Sequence, residues 1–401
     1  MTTQEPAADT GAVVTYEVRG PVAVVTVNRP QYTNAQNSKV TYALDAAFVR
    51  ATDDDDVKVI VLAGNGKHFS GGHDIGTPGR DIDETFDRRA VIWWDHVGRP
   101  GLDGRFARES EVYLGMCRRW REIPKPMIAM VQGACIAGGL MLAWSCDFII
   151  ASDDAFFSDP VVRMGIPGVE YFAHPWVMNP RAAKEFLYTG DRFPAWRAHQ
   201  LGMVNHVVPR AELADFVFAM AGRIAAMPRL GLALTKKAVN QIEDIQGLRT
   251  GMDAAFGLHH AAHAHNAEVG TDSLGGLDAK AMARTNKQAA GEAVAGEAVA
   301  GEAVAGEAVA GEAVAGEAVA GEAVAGEAVA GEAVAGEAVA GEAVAGEAVA
   351  GEAVAGEAVA GEAVAGEAVA GEAVAGEAVA GEAVAGEAVA GEAVAGEAVA
   401  G

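Results

Sequence analysis

Lys125-Pro126-Met127-Ile128-Ala129-Met130-Val131-Gln132-Gly133-Ala134-Cys135-Ile136-Ala137-Gly138-Gly139-Leu140 reads as an apolar strand, a small-residue turn and the opening of a helix. Gly138 and Gly139 have no side chains to shield their N–H groups, and the first turn of a helix leaves such groups without internal acceptors. Donors exposed in this way suit an oxygen that gains negative charge during a reaction. A second stretch, Phe69-Ser70-Gly71-Gly72-His73-Asp74-Ile75, follows the apolar run Val57–Ala63 and offers the same kind of turn. Two strand-end turns with bare amides predict an oxyanion hole assembled from both.

Working outward, Val13–Val18 and Val22–Asn28 alternate like paired strands with a turn at Gly20-Pro21. Ser38–Thr52 has helical spacing, with Ser38 expected as its N-cap. Val57–Ala63, Met127–Val131 and Asp147–Ala151 are short continuous apolar runs, the pattern of strands buried on both faces. Helical runs between them call for crossover connections and an α/β layered domain. Met127–Ile150 approaches the length of a membrane span, but Gln132, Gly133, Gly138, Gly139 and Asp147 interrupt it, so strand–turn–helix–strand is the better reading. Helices are expected near Glu84–His96 and Phe106–Trp120, and beyond Pro209 at Ala211–Met227, Leu230–Ile242 and Arg249–His265.

Two different polymers are joined in the 401 residues. From Gly291 to Ala400 the sequence is Gly-Glu-Ala-Val-Ala repeated 22 times. The repeats hold 22 of the 55 acidic residues; without them 33 acids face 30 bases, and the net charge of -25 becomes -3. The acidity therefore says nothing about a site, and no basic patch points to nucleic acid. A five-residue period makes no stripe on a helix and alternates faces in a strand, while a glycine in each repeat costs a helix about 1 kcal/mol. The tail, residues 291–401, is expected to be disordered or a fluctuating helix after a linker at 271–290; a β-solenoid of five-residue coils is the alternative, but its inward positions would need apolar pairs that the repeat lacks. Cys117, Cys135 and Cys146 form no CxxC pair and read as buried thiols of a reducing compartment. Met1–Ala12 has no apolar core of a secretory signal, so a cytoplasmic protein without membrane attachment is expected.

With Asn28-Arg29-Pro30, Asn34-Ala35, Cys146-Asp147, Phe156-Phe157, Gly165-Ile166-Pro167-Gly168, Thr189-Gly190-Asp191 and Gly202-Met203-Val204 in order, the chain resembles the crotonase superfamily, which includes enoyl-CoA hydratases and isomerases. The resemblance covers roughly residues 12–265. It implies a ββα spiral core over 12–208 and a helical region over 209–270 that supports trimers, often paired into hexamers. It implies an acyl-CoA thioester as substrate, coenzyme A being part of that substrate and no further cofactor needed. The thioester oxygen would sit between the backbone N–H groups of His73 and Gly138. Ala35, Gly72, Asp74, Ile75, Gly139, Met141 and Val161 would line the bound substrate. The region from Gly76 to Glu122 would shape the acyl pocket; its length fits either a bulky acyl group or an ordinary surface insertion.

The departures from the family pattern concern acid–base chemistry. Hydratases of this type use two glutamates to hold and protonate a water molecule; here those positions are Met141 and Val161. Neither side chain transfers a proton, so hydration by the two-carboxylate route is not expected. Glu170, Asp159 and His174 are the candidate replacements, with Glu170 and His174 as a possible base and orienter if their segment is helical. Otherwise Glu170 caps a helix and His174 packs among aromatic residues. The imidazole of His73 is either a pocket-facing acid–base group or a polar lining. His259, His260, His263 and His265 include an i, i+4 pair, but no carboxylate or cysteine frames them in sequence and no metal is expected. A catalytically silent acyl-CoA-binding protein, or a tail that itself mediates an interaction, remain the alternatives.

Overall fold

The computed structural model describes residues 12–75, 84–88 and 92–269, together with short strands between residues 298 and 400. The expected linker at 271–290 lies outside the described residues. The chain divides into two compact units, residues 1–284 and 285–401.

Val14–Arg19 (β1) and Val22–Val27 (β2) form an antiparallel pair, followed by helix α1, Ser38–Asp53. The N-cap of α1 is Asn37, not Ser38: its side chain accepts the N–H of Val40 at 3.1 Å, while the Ser38 hydroxyl accepts from Arg108. Strand β3, Val59–Gly64, is buried along its whole length, as its unbroken apolar run requires. Next come α2 (Gly101–Arg108), a π-helical stretch (Glu109–Gly115) and α3 (Met116–Arg121), which together occupy the segment expected as one helix at Phe106–Trp120. The second helix expected there, near Glu84–His96, is absent among the described residues of that segment. Its side chains are held one by one: Phe86 stacks on Tyr42 with centroids 4.6 Å apart, and Arg88 grips the buried Glu111.

The quoted stretch folds as read. It gives β4 (Met127–Val131), β5 (Ala134–Ile136) and α4 (Gly138–Trp144), and β6 (Phe148–Ser152) follows. After β7 (Phe156–Ser158) come α5 (His174–Val177), α6 (Pro180–Thr189), β8 (Phe193–Pro194), α7 (Ala195–Gln200) and β9 (His206–Val208). The main sheet has the order β1-β2-β3-β4-β6-β9, parallel except at β1, and β5, β7 and β8 form a smaller sheet. Three helices close the first unit: α8 (Leu213–Ala225), α9 (Arg229–Ile245) and α10 (Leu248–Val269).

Both faces of the main sheet are covered. One carries the large core with Leu44, Phe48, Ile60, Leu62, Trp120 and Met127, all with almost no exposure. On the other, Val59, Val61, Ile128 and Ile150 meet Leu213, Val217 and Ala221 of α8. Each such side chain contributes roughly 1.5–3 kcal/mol by leaving water. A helix from the region expected to serve oligomerisation therefore completes the core of its own chain. No single helix among the described residues is long and apolar enough to cross a membrane; α8 and α9 with their flanks pass only as a pair bent by 106°.

In the repeat unit, four-residue strands such as Gly306–Val309 and Gly316–Val319 recur every ten residues. Each pairs in parallel with the strand twenty residues on, Gly306 opposite Gly326, giving one six-stranded and one five-stranded sheet. These strands differ from the disorder or fluctuating helix expected, and their ten-residue spacing differs from the five-residue coils of the alternative. The expectation treated the odd five-residue period along one strand; pairing four repeats apart turns it into an even period that sets identical residues opposite one another.

Candidate active site

Three loops from distant parts of the chain stack side by side. Gln36 bridges to His73 and Ser70 to Cys135, each in parallel. The N–H of Gln36 donates to Gly72 O (2.8 Å), that of Ser70 to Ala134 O (3.0 Å), and that of Ile136 to Ser70 O (3.0 Å). Asn34, fully buried at φ +53°, locks the first loop: its amide donates to Asn65 O and His68 O and accepts from Arg29 N. Arg29 reaches across to Ala35 O (2.6 Å) and to the Asp74 carboxylate (3.0 Å). The Asn28-Arg29-Pro30 and Asn34-Ala35 motifs are therefore the clamp that aligns the loops.

This stacking brings the two singled-out amides together. A Cβ built on Gly138 would lie 3.2 Å from the His73 nitrogen and 2.5 Å from His73 Cδ2; one built on Gly72 (φ +94°) would lie 3.2 Å from the Gly138 nitrogen and 2.8 Å from Ile136 O. Glycine is needed at both places because the loops pass too closely for any side chain. No acceptor among the described residues takes the N–H of His73 or Gly138. Ala137, at the N-cap of α4, holds φ 47° and ψ −113°, a conformation that an L residue rarely adopts and that strained functional turns retain.

Glu170 lies beside the His73 imidazole. Its carboxylate is buried, and Oε2, 3.7 Å from His73 Nε2, has no hydrogen-bond partner; neither has His73 Nε2. Burial pushes the Glu170 carboxyl above its usual range, against the pull of His73 and His259. The His73 ring stacks on Tyr113 of the π-helical stretch at 3.9 Å between centroids. A buried carboxyl that is easily protonated, an imidazole and two free amides thus share one place, the components of a proton transfer next to a developing oxyanion.

The expected Glu170–His174 pair does not form. Residues 170–173 are not helical, so the one-turn spacing never applies. His174 Nε2 instead meets Asp159 Oδ2 at 2.9 Å, and the same oxygen accepts the N–H of Val169 at 3.1 Å; both side chains have no exposure. Asp159 and His174 brace the turn that carries Glu170, a positioning role.

The binding residues inferred from resemblance fall as follows. Gly72 and Gly139 lie in the stacked turns, where a Cβ on Gly139 would meet Ser70 O at 2.7 Å. Asp74 has its carboxylate turned to Arg29, and Ala35 presents its carbonyl to the same guanidinium. Ile75 is partly exposed at the end of its loop. Met141 is buried one turn into α4, and Val161 packs against the core from the 3-10 turn Pro160–Met164.

One residue escaped the sequence reading. Glu109, first in the π-helical stretch, faces His259, His260 and His263, so a carboxylate does frame the histidines that sequence left unframed. No periodic signal marks it, because it arrives from a different helix. A cavity of about 650 Å³ lined by Trp144, Tyr171, Trp176, Lys236 and Leu248 is also present. None of His73, Gly138 or Glu170 lines it, and the ammonium group of its Lys236 is paired with Asp147 at 2.9 Å.

The sequence profile of the enoyl-CoA hydratase/isomerase family matches residues 17–96 and 105–276. The Mycobacterium tuberculosis protein EchA13, whose name assigns it provisionally to the enoyl-CoA hydratases, is 41% identical over 259 residues, 62% of this chain and 80% of that one. The crotonyl-CoA hydratase of Syntrophomonas wolfei is 33% identical, over 59% and 83% of the two chains. Among solved structures, a probable enoyl-CoA hydratase from Mycobacterium thermoresistibile is 46% identical with a TM-score of 0.58, over 64% of this chain and 99% of that one. The loops stacked by Arg29 and Asn34, the glycine turns and these matches agree: the chain belongs to the enoyl-CoA hydratase/isomerase family.

Proposed function

We propose that this protein moves a proton on an acyl-CoA thioester, in the manner of an enoyl-CoA isomerase rather than a two-carboxylate hydratase. The thioester carbonyl oxygen accepts the N–H groups of His73 and Gly138. Glu170 removes a proton from the carbon next to that carbonyl, and the electron pair flows into an enolate whose charge rests on the thioester oxygen. The carboxylic acid so formed returns the proton two carbons further on, and the double bond shifts with no net gain or loss of atoms. Each amide is worth roughly 3–4 kcal/mol in comparable sites. The observation that carries this reading is the buried, unpartnered Glu170 oxygen 3.7 Å from Nε2 of His73, the residue whose amide lies next to that of Gly138.

Met141 and Val161 stand where hydratases of this family carry carboxylates, and they favour a second reading, an acyl-CoA-binding protein without turnover. The two are separated by one assay. Incubation with 3-enoyl-CoA in D₂O should give 2-enoyl-CoA with solvent deuterium incorporated, and Glu170→Gln should lower the rate on the order of 100- to 10,000-fold while acyl-CoA still binds. Binding without turnover or exchange in the unaltered protein establishes the silent reading; fast hydration of crotonyl-CoA that survives Glu170→Gln excludes the relocated base.

A homotrimer or hexamer belongs to the same proposal. Leu230, Leu234, Ile242 and Ile245 of α9 are more than half exposed, an apolar surface suited to a neighbouring subunit. The free thiols of Cys117 and Cys135, buried and unpaired, support a reducing compartment such as the cytoplasm. No cofactor beyond the coenzyme A of the substrate is required by this chemistry.

A further inference from the structure

The wide turn of the π-helical stretch Glu109–Gly115 aims Glu109 into α10, where His259 and His263, four residues apart, lie on one face with His260 beside them. The four side chains are buried. His259 Nε2 and His263 Nε2 are 3.1 Å apart. Glu109 Oε2 lies 3.5 Å from His259 Nε2 and 3.2 Å from His260 Nε2, and Glu109 Oε1 lies 3.7 Å from His263 Nε2. The donor atoms of Glu109, His259 and His263 all fall within 4.8 Å of one another. Bonds of about 2.0–2.2 Å to a tetrahedral ion separate its ligands by roughly 3.3–3.6 Å, so the spacing suits such an ion with little movement.

We propose that Glu109, His259 and His263, with His260 able to complete the set, bind a divalent transition-metal ion of the zinc class.

Two further observations point the same way. His259 Nδ1 bonds to Gly168 O at 2.8 Å, which fixes the tautomer so that Nε2 directs a lone pair into the cluster, the arrangement that metal-bound histidines use. Glu109 Oε2, both ring nitrogens of His260 and His263 Nδ1 are buried without hydrogen-bond partners. A protonated His259 would turn Nε2–H toward Glu109 and Glu170, yet it would leave His260 unanswered and set that same nitrogen 3.1 Å from His263 Nε2. Imidazole nitrogens with a single carboxylate select zinc, cobalt, nickel or copper over magnesium and calcium. His259 Nε2 also lies 3.9 Å from Glu170 Oε1, so the ion would stand at the edge of the candidate active site. The inference does not depend on the acyl-CoA reading, and its test reads the metal alone.

The untagged full-length chain is stripped with chelator and titrated with Zn²⁺ by calorimetry and with Co²⁺ by visible absorption. The expected result is one equivalent per chain, a raised melting temperature and the intense bands of four-coordinate Co²⁺ with nitrogen ligands. Glu109→Gln and His263→Ala should each weaken Zn²⁺ binding on the order of 100-fold or more, whereas His265→Ala, at an exposed position on the same helix, should not. No saturable binding by protein with an unchanged far-UV circular dichroism spectrum overturns the proposal. So does one-equivalent binding that survives both Glu109→Gln and His263→Ala, or weak Co²⁺ bands typical of oxygen ligands alone. If His263→Ala fails to fold, the near-isosteric Glu109→Gln and the Co²⁺ spectrum of the unaltered chain still decide.

Discussion

Gly138 shows how much of the site is decided by a missing methyl group. A Cβ there would press on the His73 imidazole at 2.5–2.6 Å, displacing the ring that stacks on Tyr113 and lies 3.7 Å from Glu170. Gly138→Ala is therefore expected to lower turnover on the order of 100-fold while the far-UV circular dichroism stays unchanged. Turnover within a factor of about two of the unaltered protein, on the same scale, would count against the amide pair. Gly138 was legible in sequence because a bare amide at a helix start is a property of the local backbone. The partner of Glu170 was not: His73 was singled out for its amide, and only packing shows its imidazole 3.7 Å from the carboxylate.

At the scale of elements, short connectors hold the chemistry. Asp159 and His174 join the 3-10 turn after β7 to the start of α5 and tie down Val169, next to Glu170. Removing one partner leaves the other buried and unpaired, which costs about 3–5 kcal/mol in comparable cases. His174→Ala should lose that much stability by urea denaturation; a loss below about 1 kcal/mol, typical of exposed pairs, would deny the brace. His68 performs a similar task for β5, its Nδ1 accepting the N–H of Ala134 at 3.0 Å. Burial, aided by Lys67 and Arg210, lowers its pKa below 6.5. Its neutral form is thus favoured on folding, so its contribution is present above pH 6.5 and lost as pH falls through the lower folded value. Between pH 7.5 and 5 the unaltered protein should lose more stability than His68→Gln; equal slopes would remove His68 from the account. These connectors were poorly legible, since the pairing considered for Glu170 and His174 needed a helical spacing that the chain does not use there.

At the scale of the whole molecule, the first unit leaves α9 with an apolar surface it does not cover: Leu230 is 70% and Ile245 84% exposed. Replacing Leu234 and Ile242 together by glutamate should convert an oligomer to monomers in sedimentation-velocity experiments, with the far-UV spectrum of the unit retained. A chain that already sediments as a monomer, or an oligomer unaffected by both charges, would exclude α9 as the contact. The repeat unit obeys a different logic, since its strands pair at a distance of four repeats and their register follows from identity rather than from a hydrophobic face.

Strands β1 to β4 and β6, helix α1 and the three closing helices followed from the sequence alone, because apolar runs, glycine turns and helix starts are properties of neighbouring residues. So did the two bare amides, whereas Met141 and Val161 stand at carboxylate positions only by what the family resemblance implies. Tertiary structure alone decided which carboxylate meets which imidazole: Glu170 with His73, Asp159 with His174, Glu109 with the histidines of α10. Those pairings span distant segments and depend on how helices and loops pack, which no spacing along one strand or helix encodes.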